Sequence, residues 1–153
     1  MCYSLNRHLQ APIHFHLTSF NAEMAVRFAP DIQKWDVHRH MESAFEIFNK
    51  DDIVYLSPDS DTLLDTIDDS KIYVIGGIID HTVEKNISLD CANNANVQTA
   101  RLPIKENLPL FKNSCVLTVN QVFKILLDRF HDKSWTDVFE ENIPKRKFRD
   151  SEF

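Results

Sequence analysis

Along residues 12–19 (PIHFHLTS), Ile13, Phe15 and Leu17 alternate with His14, His16 and Thr18, the period of a half-buried strand. Residues 20–30 read as a short helix closed by Pro30, and 31–40 as an irregular, His-rich stretch. In 41–49, Met41, Ala44, Phe45 and Phe48 fall on one helical face. Ile53–Leu56 is an uninterrupted apolar run, as expected of a strand buried on both faces. Ser57-Pro58-Asp59-Ser60 combines turn and cap residues with a proline suited to a first helical position, so it predicts a turn and a helix start. Leu63, Leu64 and Ile67 would form the apolar side of that helix. Ile72–Ile75 is the next predicted buried strand and runs into Gly76-Gly77.

Downstream, 88–94 is compatible with a helix capped by Ser88. Residues 97–102 read as a strand stopped by Pro103, and 115–117 as a short apolar piece. The strongest helical pattern is 119–131, where Val119, Val122, Phe123, Leu126 and Phe130 form one stripe. Thr118 followed by Gln121 makes a capping box for it. Ser134 caps a last helix carrying Trp135, Val138 and Phe139. Strands alternating with helices predict an α/β domain with a mainly parallel sheet and flanking helices. The expected boundaries are a domain over 1–144 and a basic, polar tail over 145–153.

Composition then narrows the class. The 153 residues are 43% hydrophobic and 26% charged, a globular balance, and a chain of this length has room for a core. No apolar run approaches the length of a membrane span. The N-terminus lacks a long apolar segment of the secretory kind. Cys2, Cys91 and Cys115 are an odd number with no CxxC spacing, which fits a reducing, intracellular setting and argues against a disulfide scaffold or zinc ribbon. The formal charge of −6 speaks against a strongly basic nucleic-acid binder while leaving room for a local basic patch.

Glycine is scarce: Gly76 and Gly77 are the only two in the chain, where average usage gives roughly ten. Most turns must therefore be made by Asn, Asp, Ser and Pro. Placed directly after a predicted parallel strand, the pair is either a plain bend or a loop with positive φ that a ligand approaches closely. Asp80 lies on the same loop and is able to accept a proton there, although a solvated aspartate is the simpler reading of the spacing. His14 and His16 share a strand face, with His38 and His40 close together in sequence. No Cys, Asp or third His is evidently placed to complete a metal set, so exposed histidines are expected and no metal is assigned. Lys145, Arg146 and Lys147 with Arg149 form a basic cluster suited to phosphate or simply to solvent. Neither GxGxxG nor GxxxxGK[ST] is present, nor a GxSxG elbow.

Several segments taken together carry a resemblance: IVYLSPDSDTLLD (53–65), KIYVIGGIIDH (71–81), TARLPI (99–104), VLTVNQVFKILL (116–127) and IPKRK (143–147), preceded by CYSLNR (2–7) and IHFHLTSF (13–20). In order and spacing the chain resembles the tRNA (purine-9) N1-methyltransferase family of the SPOUT superfamily. The resemblance implies methyl transfer from S-adenosylmethionine to N1 of purine 9 in tRNA, guanine ahead of adenine, on a fold whose C-terminal part forms a trefoil knot. It places the cofactor against Leu56 and Ser57, Gly77 to Asp80, Ser88, Leu102, Val116, Leu117 and Asn120.

Asp80 matches the family's aspartate proposed as proton acceptor, since guanine N1 must lose a proton as the methyl arrives. Lys85, Arg101, Lys145, Arg146 and Lys147 are the expected RNA contacts. Relative to the family pattern, Met1 falls inside the domain, so an N-terminally truncated form lacking a first strand and helix is expected. A monomer is expected, in the nucleus and cytoplasm or in the mitochondrion. The competing reading is a non-catalytic, tRNA-presenting subunit of a mitochondrial protein-only ribonuclease P assembly, with a dehydrogenase and a nuclease subunit as partners.

Overall fold

The computed structural model describes residues 1–21, 23, 32–76, 86–109 and 116–144. The chain divides into two compact units, Met1–Asn49 and Lys50–Phe153.

The first unit opens with helix α1 (Cys2–Arg7). Its buried Asn6 donates to the Ile13 carbonyl and accepts from the Ile13 amide, both at 2.9 Å, so one amide side chain ties the helix to the strand region. Strand β1 (His16–Leu17) pairs in parallel with β2 (His38–Arg39). The predicted strand over 12–19 thus shrinks to two residues, and the stretch expected to be irregular contains both a 3-10 turn (Ile32–Lys34) and a strand. Tyr3 stacks on Trp35 with ring centroids 5.1 Å apart, and Arg39 donates to the carbonyls of Ile32 and Trp35. Helix α2 is only Ala44–Ile47, started by a Ser43–Glu46 capping box, and Met41 lies outside it, exposed. Apart from Phe20, Asn21 and Glu23, the helix predicted at 20–30 falls outside the described residues.

The second unit is built on a parallel sheet in the order β4-β3-β5, where β3 is Ile53–Leu56, β4 Ile72–Ile75 and β5 Gln98–Ala100. All four residues of β3 are buried, as its apolar run predicts, because it lies centrally with layers on both faces. β4 is only half-buried, since it forms an edge among the described strands. On one face Val54 and Leu56 join Leu64, Ala100, Val122 and Leu126. On the other, helix α3 (Ile87–Ala95) packs against β3 and β5. A short helix α4 (Ile104–Asn107), unanticipated in the sequence, follows Pro103.

Helix α5 (Val119–Phe130) has the predicted Thr118–Gln121 capping box, and α6 (Trp135–Asn142) starts at Ser134, whose hydroxyl accepts from the Asp137 amide. Ile104, Ile125, Val138 and Phe139 form the core between these helices. Each fully buried side chain of this kind contributes about 1.5–3 kcal/mol relative to exposure.

Two predictions are corrected. Residues 57–67 form no helix. Instead, the Arg101 amide donates to Thr62 and the Leu64 amide to Arg101, so the segment lies extended beside the end of β5. The Ser57 and Ser60 hydroxyls accept from the amides two residues on, an arrangement that competes with helix initiation. Helix α3 is capped by Asn86, with φ 69°, and not by Ser88, which lies in its first turn. Of the residues expected to make most turns, Asn, Asp and Ser take the left-handed positions: Ser19, Asn86, Asn96 and Asp132 all hold positive φ.

Candidate functional site

Leu56 is in register with both Ile75 and Ala100, and all three strands run parallel. Their carboxyl ends therefore reach one edge of the sheet together, where Ser57, Gly76 and Arg101 leave it. Open parallel sheets bind ligands at that edge. Ser57 and Ser60 are buried there, and the Ser60 and Thr99 hydroxyls share a hydrogen bond of 2.9 Å. The Asp59 carboxylate accepts from the Asn86 amide at 3.0 Å, which joins the turn after β3 to the start of α3 and places a negative charge at a helix N-terminus.

Behind the edge lies Tyr55. A Cβ built on Gly76 would meet its hydroxyl at 2.8 Å, with Ser88 Oγ at 3.5 Å and Tyr55 Cζ at 3.6 Å. Gly76 does not have positive φ, so of the two readings left open for it the plain bend holds. Its missing side chain is explained by space, because the phenol fills the position. Burial, and then the neighbouring Cys91, push the Tyr55 phenol above its ordinary pKa, so it stays neutral.

Leu102 packs against both apolar clusters of the unit, and Leu117 against the one around Ile104. Leu56, Leu102 and Leu117 are thereby linked through apolar packing beside the strand ends. Val116 is half-buried ahead of α5 and Asn120 is exposed in its first turn. Backbone groups leaving three strands, flanked by leucines and small hydroxyls, offer apolar faces and a few fixed polar partners at this edge. Arg101 forms a bidentate ion pair with Glu106, at 2.7 and 3.1 Å, and that pair holds the Glu106 carboxyl below its usual range. Gly77, Asp80, Lys85, Lys145, Arg146 and Lys147 lie outside the described residues.

The four histidines come together in the first unit. Parallel pairing sets His16 opposite His38, with rings stacked at 4.4 Å, and brings His16 Nδ1 within 3.0 Å of His40 Nε2. His14 lies 6.1 Å from His38. A neighbouring third and fourth imidazole were not visible in the sequence because strand pairing supplies them. Among the described residues, no group of three or more His, Cys, Asp or Glu is arranged to hold a metal ion.

A family model described as tRNA (guanine(9)-N(1))-methyltransferase TRM10/TRM10A matches residues 1–148. The chain belongs to this family. The tRNA methyltransferase 10 homolog A of Mus musculus is 34% identical over 150 residues, covering 95% of this chain and 45% of that protein. The tRNA (guanine(9)-N1)-methyltransferase of Schizosaccharomyces pombe is 37% identical over 153 residues, covering 95% and 50%. The chain thus spans about half the length of the curated relatives it matches.

Full-length spTrm10, crystallised as a complex with SAH, matches with a TM-score of 0.83 at 35% identity, over 95% of this chain and 80% of that one. The Thermococcus kodakaraensis dual-specific Trm10, at 18% identity and a TM-score of 0.68, covers 92% and 83% and shares the fold. The family's α/β architecture, with parallel strands and flanking helices, is therefore that of this chain. Tyr55 and Asp59 escaped sequence reasoning. Tyr55 sits inside an apolar run where it reads as core, and Asp59 inside a segment read as a helix start. A Gly placed one residue past a strand was the available signal for a large neighbour.

Proposed function

We propose that this chain is a methyltransferase acting on N1 of purine 9 of tRNA, guanine ahead of adenine, with S-adenosylmethionine as methyl donor. The observation that carries this reading is the family match across residues 1–148. The likeness to a relative crystallised with SAH, the demethylated form of that donor, supports it. S-adenosylmethionine, when bound, supplies an electrophilic sulfonium methyl. Leu56, Ser57, Gly77, Ser88, Leu102, Val116, Leu117 and Asn120 would hold the donor at the shared strand edge. Their work is chiefly positioning, since orientation is worth several kcal/mol in a transfer of this kind.

Asp80 takes the N1 proton of guanine. Its carboxylate is ionised at neutral pH and the proton becomes more acidic as the N1–methyl bond forms. Adenine N1 has no proton to give, so Asp80 matters less for that base. Lys85, Arg101, Lys145, Arg146 and Lys147 would meet tRNA phosphates, with Arg101 first exchanging its partner Glu106. A trefoil knot over the C-terminal part belongs to this reading, as do a monomeric state and an intracellular site of action.

The test is methylation of tRNA transcripts carrying G9 or A9, run on this chain and on a longer N-terminal form. Asp80→Asn should abolish most G9 transfer while SAH still binds in calorimetry. Full G9 transfer by that variant would remove the base role from Asp80. Entry into a complex with a dehydrogenase and a nuclease subunit, without methyl transfer by either form, would replace the enzymatic reading with the tRNA-presenting one.

A further inference from the structure

We propose that Tyr55 is a positioning residue for the methyl donor, acting through Gly76. This rests on the functional reading above. Three observations converge. The Tyr55 side chain is 6% exposed, so its hydroxyl is fixed inside the sheet–helix layer and not free to swing into solvent. That hydroxyl stands 2.8 Å from where a Cβ on Gly76 would be, and real Cβ atoms essentially never show a contact that short. Ser88 Oγ, in the first turn of α3, completes the wall around that position at 3.5 Å. One phenol therefore braces the last residue of the β4 exit against the first turns of α3. Gly76 is covalently joined to Gly77, and Ser88 is itself an expected donor contact, so Tyr55 sets the distance between two parts of the same site without touching the donor.

The geometry makes an unusual demand on a double variant. Gly76 carries no positive φ, so an alanine there meets no backbone strain. Among the described residues, its one neighbour closer than 3.0 Å is the Tyr55 oxygen. Removing that oxygen leaves the Cβ with Ser88 Oγ at 3.5 Å and the ring Cζ at 3.6 Å, both ordinary van der Waals contacts. Gly76→Ala should thus be harmful, and Tyr55→Phe should repair it. A glycine retained for direct contact with the donor predicts no repair, because the added methyl would still face the donor.

The experiment is calorimetric titration of the full chain with SAH, alongside thermal unfolding of each variant. Gly76→Ala is expected to weaken SAH binding by at least about tenfold, with the double variant Tyr55→Phe/Gly76→Ala returning to within about threefold of wild type. Tyr55→Phe alone is expected to weaken binding a few-fold with its melting temperature nearly unchanged, since the ring keeps its packing. Three results would overturn the proposal. One is a double variant that binds no better than Gly76→Ala. Another is Gly76→Ala binding as well as wild type. The third is wild-type chain that binds no SAH, which removes the functional reading as well and so is distinguishable from the first two.

Discussion

Residues 1–49 and 50–144 solve the problem of staying folded in different ways. In the first region the buried apolar residues among those described are Ile32, Val37 and Ala44, and the named contacts are polar or aromatic. Asn6 clasps Ile13, Tyr3 stacks on Trp35, Arg39 reaches two carbonyls, and four histidines crowd a pair of two-residue strands. The second region buries a fully apolar central strand and two clusters of aliphatic and aromatic side chains. Directional contacts hold one geometry and fail when a single group changes state. Apolar burial tolerates changes of state and fails when volume is removed.

The chain offers a direct way to challenge this contrast, because its two tryptophans, Trp35 and Trp135, fall one in each region. Fluorescence of Trp35→Phe and Trp135→Phe backgrounds reads each region separately. The largest effect should come from Phe139→Ala, since Phe139 is fully buried at the centre of the helical core. A loss of about 3–5 kcal/mol is expected in denaturant unfolding followed at Trp135. A loss below about 1 kcal/mol would mean that this core is not what holds the second region.

Next comes Asn6→Ala, which strands both the amide and the carbonyl of Ile13. A loss of about 1–3 kcal/mol is expected at Trp35, with Trp135 moving less. Equal loss at both probes would erase the contrast. Thr118→Ala removes the side-chain cap of α5 and should cost about 1 kcal/mol at Trp135, within a range of about 0.5–2.

The smallest effect expected is a pH dependence confined to the first region. Burial, and then the neighbouring His38, His40 and His14, hold the His16 pKa below its ordinary 6.5. The unfolded chain therefore binds the proton more readily than the folded one. The stabilising contribution is complete above pH about 6.5 and is lost as pH falls from there through the lower folded value. The protection factors of the His38 and His40 amides, bonded to Phe15 and Leu17, should fall as pH drops through that window. His16→Gln should flatten the response, and a response of equal size in β3 amides would break the contrast between the two regions.

Legibility in the sequence followed the same division. Ile53–Leu56, α5 and α6 could be read because their signals are local: an apolar run, a 3.6-residue stripe, and Ser or Thr placed to cap. The histidine cluster could not be read, since His16 meets His38 only through parallel strand pairing. Residues 57–67 misled for a related reason: the turn signal at 57–60 was sound, and pairing with Arg101 then overrode the helix that its pattern allowed. At the strand ends, Gly76 follows β4 as its place in the sequence predicts, and of the two backbone readings left open there the one with positive φ does not hold at Gly76.

Alone, the sequence determined where the central buried strand and the two last capped helices lie, that most turns fall to Asn, Asp, Ser and Pro, and, through its ordered segments, the family. These are properties of neighbouring residues and of their order. The tertiary structure decided that three strand ends share one level, that Arg101 is committed to Glu106, and that Gly76 lacks a side chain because Tyr55 occupies its place. Those depend on which distant residues arrive within a few ångströms of each other, and no local pattern encodes that distance.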